Sequence, residues 1–144
     1  LVWDLGEIIE VPLHVDSNHA CQLILDDHLQ LQMEMDSHEE RLLVSSLISE
    51  IPPGKFRENV LKDALKVNST YQIFGSFSYI ENKNHLVLHK YLQTEHLSGE
   101  KLAKFLLLFI DEVEEWYEAL LNNTSSPSKY NHHSTTFPKF DLLR

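Results

Sequence analysis

One long amphipathic helix is the feature of this sequence that most limits how the chain can fold. The segment from Leu97 to Leu121 has the sequence LSGEKLAKFLLLFIDEVEEWYEALL. Its larger apolar residues recur at helical spacing and share one face; they are Leu102, Phe105, Leu106, Phe109, Val113, Trp116 and Leu120. The other side is acidic in the later turns. We therefore predict a helix that Ser98 caps, that covers a core and that turns a negative surface to solvent.

The composition favours a single soluble domain with an acidic surface. The chain has 144 residues, with 22 acidic residues against 12 Lys and Arg and a formal net charge of −10. This charge disfavours binding to nucleic acid or to anionic membranes, because the basic residues are scattered and form no patch. The longest apolar run lies within Phe105 to Ile110, far short of the roughly 18 to 20 residues of a membrane span. We expect neither nucleic-acid binding nor membrane insertion.

The apolar patterns predict an α+β fold with the order α-β-β-β-α-β-β-α and a twisted antiparallel sheet. The predicted helices are Val2–Ile9, Phe56–Asn68 and Leu97–Leu121, and the predicted strands are Ala20–Leu25, Leu29–Met35, Leu42–Ile51, Ile73–Ile80 and His85–Leu92. Residues 29–35 alternate strictly between apolar and polar, which is typical of a half-buried strand. Residues 42–51 could also form a helix. Asn68 is a residue suited to ending the second helix.

The last part of the chain differs in composition from the rest. We predict a domain at residues 1–121, followed by a polar and mobile tail at residues 122–144. The tail begins NNTSSPSKYNHHSTTFPK, and only Phe137 to Leu143 regains the apolar character needed to dock on a neighbouring surface.

Patterns that would indicate catalysis or metal binding are weak. The chain has nine histidines, but His85 and His89 lie about 13 Å apart along a strand, too far to share one ion unaided. The run Asp26–His28 is more typical of a hairpin turn than of a ligand set. The sequence has no Gly-x-Ser-x-Gly elbow, no glycine-rich phosphate loop and no CxxC pair. Cys21 is the only cysteine and is predicted to be a small core residue. We expect no metal or cofactor, and a protein that is not an enzyme.

The predicted sheet has more apolar side chains than its helices can cover. One stripe consists of Leu29, Leu31, Met33 and Met35, and an aromatic cluster consists of Phe74, Phe77 and Tyr79. Both sets are interpreted either as core or as binding surface, since methionine is common on surfaces that accept varied partners. Three helices, one of them short, would cover both sheet faces only with the help of a second subunit.

Two segments together with this order of elements resemble a known family. They are LISEIPPGKFRENVLKDALKVN, a strand, a proline turn and a helix, and YIENKNHLVLHKYLQTEHLSGEKLAKFLLLFIDEVEEWYEALL, a hairpin and the long helix. From about Trp3 to Leu121 the chain resembles the class I chaperones of bacterial type III secretion, the Tir-chaperone-like (CesT) family. It departs from the family in its short first helix and its polar tail.

The resemblance implies a homodimer in the bacterial cytoplasm that needs no nucleotide or metal. Such a protein binds the N-terminal chaperone-binding segment of a secreted effector in extended form, keeps it soluble and assists its delivery to the secretion ATPase. The residues predicted to contact the effector are Leu5, Ile8, Leu29, Leu31, Met33, Leu43 and Leu47. The residues predicted to form the dimer contact are Leu61, Leu65, Ile73, Phe77 and Tyr79. Each of these residues also has a core interpretation.

Two other functions are left open by the sequence. The same fold could belong to a regulatory or adaptor protein that sequesters a partner other than an exported effector. An enzyme is the third possibility, and it should have a pocket with converging polar groups.

Overall fold

The structure is a computed structural model, and it describes residues 14–15, 20–25, 29–36, 38, 40–70 and 74–133. Its elements are β1 (His14–Val15), β2 (Ala20–Ile24), β3 (Gln30–Asp36), β4 (Arg41–Glu50), α1 (Lys55–Thr70), β5 (Ser76–Ile80), β6 (His85–Gln93), α2 (Gly99–Leu121) and a 3-10 helix (Ser128–His133). The predicted α+β class is confirmed, and so is the predicted order β-β-β-α-β-β-α from Ala20 to Leu121. The predicted first helix, Val2–Ile9, lies outside the described residues.

The strands form one antiparallel sheet in the order β1-β2-β3-β4-β6-β5. The segment that had a helical alternative is β4, the longest strand, which pairs with β3 on one side and β6 on the other. A bulge between Leu47 and Ser49 shifts its register against β6. The two-residue strand β1, which the sequence patterns did not predict, pairs with Cys21 and Gln22 at one edge of the sheet.

The core lies between one face of this sheet and the two helices. Alternation along the strands buries one set of side chains and exposes the other, as the pattern of β3 illustrates. The largest fully buried side chains are Trp116, Phe109, Leu23, Leu31, Met33, Leu42, Ile51, Leu86, Leu88, Leu102 and Leu106. The long helix α2 contributes four of these, and Ser98 caps it by accepting a hydrogen bond from the Lys101 N–H. The predicted role of α2 as the lid of the core, and its cap, are therefore present in the structure.

The helix α1 packs at the β5 edge of the sheet and continues two residues beyond its predicted end. Asn68 lies in its last turns, where its side-chain amide forms two hydrogen bonds with the backbone of Phe77 in β5. The role predicted for Asn68, to end the helix, is therefore wrong; it joins the helix to the sheet.

Residues 122–133 fold back on the helices. The tail was expected to begin at residue 122, but Ser126 is buried, and the Tyr130 ring lies 5.9 Å from the Trp116 ring. The end of α2 at Leu121 is thus not the end of the packed chain. Neither of the two described α-helices is long and apolar enough to cross a membrane.

Candidate protein-binding surfaces

The sheet has a second face, directed away from the core, which we call the outer face. It is formed by the alternate residues of the strands, and its apolar members are Ile24, Leu43, Leu47, Ile80, Val87 and Tyr91. Ile24 and Tyr91 are exposed, as is Leu47, at 36% of its surface. Between them stand uncharged polar side chains, among them Gln22, Gln30 and Gln32, all exposed. An apolar strip within a polar surface is typical of a protein-binding face.

A shallow depression of about 180 Å³ lies in the middle of the outer face. Leu47 and Val87, which face each other across β4 and β6, contribute apolar surface, and Ile80 of β5 adds to it. The amides of Gln22, Gln30 and Gln32 and the hydroxyl of Ser45 also line it, and the Gln22 amide donates to the Gln30 side-chain oxygen at 3.2 Å.

This arrangement has the chemistry needed to hold an extended peptide. Amide side chains carry both a donor and an acceptor, so they can bind the N–H and C=O groups of a peptide backbone. The apolar surface around Leu47 and Val87 can take a side chain of the same peptide. Among the residues that the structure describes, Lys83 is the one ionisable side chain that lines the depression, so these residues do not supply the paired acid and base that proton transfer requires.

One histidine of the outer face, His89, adds little charge to it. Burial lowers the pKa of His89, whose ring nitrogen Nδ1 lies 3.3 Å from the Ser78 hydroxyl. His89 is therefore uncharged at neutral pH. His85 directs its Nδ1 to the backbone oxygen of Lys83 at 2.7 Å. Within the described part of the chain, no group of three His, Cys, Asp or Glu residues is arranged to hold a metal ion.

The structure divides the residues predicted to contact an effector. Leu43 and Leu47 lie on the outer face, Leu43 half-buried and Leu47 exposed. Leu29, Leu31 and Met33 are core residues with exposures of 2%, 0% and 1%. The period of two places the side chains of all three on the face that the helices cover, not on the outer face. Leu31 is nevertheless among the residues that line the depression, and contact of these residues with an effector stays a prediction. Leu5 and Ile8 lie outside the described residues.

The residues predicted to form a dimer contact are divided in the same way. Leu65 is the most exposed of those that the structure describes, at 66%, and Leu61, one turn earlier on α1, is half-buried. Phe77 belongs to the core, with its ring centroid 4.4 Å from that of Trp116. Tyr79 is half-buried and donates its hydroxyl to the Asn84 side chain at 2.7 Å. Ile73 lies outside the described residues.

A comparison with known protein families identifies the family of this chain. The sequence model of the Tir chaperone protein (CesT) family matches residues 1–117. The chain belongs to the CesT family. The resemblance predicted from its sequence segments is confirmed.

Solved structures share the fold of this CesT-family protein. A chain of the HopA1-SchA chaperone-effector complex is 24% identical, with a TM-score of 0.63, over 81% of this chain and 89% of that one. A chain of the ExsC-ExsE complex is 19% identical, with a TM-score of 0.65, over 81% and 88%. A chain of the heterodimeric ExoU-SpcU complex from the type III secretion system of Pseudomonas aeruginosa is 17% identical, with a TM-score of 0.59, over 85% and 95%. No curated protein sequence matches this CesT-family chain.

Several outer-face residues of this CesT-family protein were missed by the sequence patterns. Ile24 and Val87 belong to compact apolar runs in which no alternation distinguishes the two faces. The Arg41 guanidinium lies over the Tyr91 ring, 4.0 Å from the ring centroid. Gln30 and Gln32 are the polar half of the alternation in β3, a pattern that predicts the strand and not a role for its polar side, and Gln22 lies within the apolar run of β2.

Proposed function

We propose that this CesT-family protein is a type III secretion chaperone that binds the N-terminal segment of a secreted effector and keeps it soluble and ready for export. The observation that carries the proposal is the family match over residues 1–117. The alternative of an adaptor that sequesters a non-effector partner has no observation in its favour among the described residues.

The outer face is the surface that we assign to the effector. The segment would lie extended across β3, β4 and β6, with an apolar side chain against Leu47 and Val87 and its backbone near the amides of Gln30 and Gln32. Leu43 is also retained as a contact. Binding through backbone groups and shallow apolar contacts suits a chaperone, because it demands little of the ligand sequence.

The proposal includes a homodimer in the bacterial cytoplasm that delivers its effector to the secretion ATPase. Leu65 is an exposed apolar side chain on α1, and half-buried Leu61 stands one turn away on the same side. Contact between two such helices would remove this apolar surface from water. Sedimentation should therefore detect a species near twice the chain mass of 16.8 kDa.

The proposed function is tested by capture of the natural partner. The protein, immobilised, is mixed with the cytosol of its source bacterium, and the retained protein is identified by mass spectrometry. We expect a protein that the type III system exports, and we expect capture to be lost when the N-terminal segment of that protein is deleted. A partner that is not exported, or that binds equally well without this segment, would contradict the proposal.

A further inference from the structure

Residues 122–133, the C-terminal extension, lie beyond the last residue that the family model matches. The chain reverses directly after α2, where Asn123 adopts a positive φ of 59° and the Thr124 N–H donates to the Ala119 oxygen at 2.8 Å. The extension then runs to the 3-10 helix Ser128–His133. This geometry brings it back over both helices.

The first set of contacts joins the extension to α1. The hydroxyls of Ser125 and Ser126 both donate to the same carboxylate oxygen of Asp63, at 2.6 and 2.7 Å. Ser126 is buried. Hydrogen bonds to a charged acceptor are stronger than those between neutral groups. A carboxylate in the middle of α1 is thus held by two residues that lie more than 60 positions later in the chain.

The second set of contacts joins the extension to α2 through Glu112. This glutamate is only 2% exposed, and a buried carboxylate is costly unless donors surround it. On its own helix it accepts a hydrogen bond from the Trp116 indole at 3.0 Å. The extension supplies two further donors, the Lys129 ammonium at 2.6 Å and the Tyr130 hydroxyl.

The cation of the extension also neutralises part of the acidic surface of α2. The Lys129 ammonium lies 2.6 Å from Glu115 as well as from Glu112. The Tyr130 ring packs on Trp116, which itself packs on Phe77 of β5. The extension therefore completes both the polar and the apolar environment of this end of α2.

We propose that residues 122–133 act as a clamp that holds α1 against α2. One end of the clamp is the pair of serine hydroxyls on Asp63, and the other is the Lys129 and Tyr130 pair on Glu112. Opening the clamp would remove one attachment of α1. The helix would still be held by the pairing of Asn68 with β5, by the hydrogen bonds of Arg57 to the Ile51 oxygen and by its buried side chains.

The clamp also has a consequence for the proposed dimer contact, and this part rests on the proposed function. Asp63 and Leu65 are two residues apart, so they project about 200° apart around α1. The clamp binds one side of the helix at Asp63, and Leu65 lies exposed on the opposite side. The C-terminal extension then contributes to fixing the position of that opposite side relative to the core.

Hydrogen exchange of the full chain tests the clamp. The double variant Ser125→Ala and Ser126→Ala removes the bonds to Asp63 and leaves the Glu112 network in place, and Ser128→Ala, an exposed serine of the same segment, is the control. We expect the amides of α1 to exchange about tenfold faster in the double variant, with the amides of α2 unchanged and the control like the wild type. If the amides of α1 exchange in the double variant at the same rate as in the wild type, the proposal is overturned.

Sedimentation of the same three proteins separates this proposal from the dimer. If the wild type dimerises, the dimer of the double variant should dissociate at a protein concentration several-fold higher than the wild-type dimer does. Equal dissociation constants would overturn the link between clamp and dimer. A monomeric wild type would contradict the proposed dimer and overturn that link with it, while the exchange measurement would still decide whether the extension holds α1.

Discussion

The side-chain amide of Asn68 forms with Phe77 the two hydrogen bonds that a neighbouring strand would form. Its nitrogen donates to the Phe77 carbonyl at 2.9 Å, and its oxygen accepts from the Phe77 N–H at 2.7 Å. β5 is the last strand of the sheet on this side. An open strand edge can pair with another chain, so one asparagine of α1 closes this edge where Phe77 lies.

Substitution of Asn68 by alanine should destabilise the protein. The change leaves the half-buried backbone groups of Phe77 without their partners, which typically costs about 1 to 3 kcal/mol. The free energy of unfolding, measured by urea denaturation, should fall by this amount. Ser69→Ala, an exposed neighbour on the same helix, should change it by less than about 0.5 kcal/mol. Equal effects of the two substitutions would show that the edge needs no closure by Asn68.

Truncation of one leucine side chain on each face of the sheet should lower stability by unequal amounts. Leu31 is completely buried beneath the helices, so Leu31→Ala should lower the free energy of unfolding by about 2 to 5 kcal/mol. Leu47 is on the outer face, and Leu47→Ala should cost well under half as much, because its side chain is already in partial contact with water. Urea denaturation of both variants checks this order. A larger loss for Leu47→Ala would reverse our assignment of the faces.

Two glycines with similar φ angles allow a steric prediction. Gly75 and Gly54 have φ values of 131° and 135°, which disfavour any residue with a Cβ. A Cβ at Gly75 would lie 2.4 Å from the backbone oxygen of His89, whereas a Cβ at Gly54 would meet nothing within 4 Å. Gly75→Ala should therefore lower the melting temperature clearly more than Gly54→Ala. Equal melting temperatures of the two variants would mean that strand β6 can move away from the new Cβ without a loss of stability.

Stability should depend on pH in the alkaline range through the C-terminal extension. Burial raises the pKa of the Tyr130 hydroxyl, and its bond to Glu112 acts in the same direction. Burial alone would lower the pKa of Lys129, but its hydrogen bonds and charge interactions with Glu112 and Glu115 outweigh this and raise it. Because both groups hold their protons more tightly when folded, their stabilisation is complete below about pH 10 and is lost as the pH rises further.

The matching measurement compares the wild type with the double variant Lys129→Met and Tyr130→Phe in urea between about pH 8 and pH 11. Near pH 8 the wild type should have the larger free energy of unfolding. The difference in free energy between the two proteins should shrink above about pH 10, as Lys129 and Tyr130 lose their stabilising effect. A difference that stays constant over the whole range would contradict the assigned role of these two protons.

The sequence predicted the elements of this fold well because the signals for them are local. The seven residues after residue 28 alternate strictly, and the residues of α2 recur at helical spacing, so each segment specifies its own backbone. What alternation does not specify is which face meets the helices. Leu31 and Leu47 are both apolar strand residues, and only the packing of α2 makes one core and the other surface.

Contacts between distant parts of the chain left no local signal. Asn68 is typical of a helix end, and nothing in its neighbourhood indicates that it pairs with Phe77. Residues 122–133 have a composition typical of mobile segments, yet their polar side chains have specific partners in Asp63 and Glu112. The prediction that the acidic residues in the later turns of α2 face solvent is wrong for Glu112, which is 2% exposed. Its burial depends on Lys129 and Tyr130, which return to it from the end of the described chain.

The central claim is that the outer face binds the N-terminal segment of an effector, and isothermal titration calorimetry with that segment tests it most directly. The variant Leu47→Glu places a charge on the outer face, while Leu108→Glu places the same charge at a 52% exposed leucine of α2, which packs on the other face. We predict that Leu47→Glu weakens binding by about tenfold or more and that Leu108→Glu leaves it unchanged, with both variants folded by circular dichroism. Wild-type affinity for Leu47→Glu, or a loss confined to Leu108→Glu, would contradict the account.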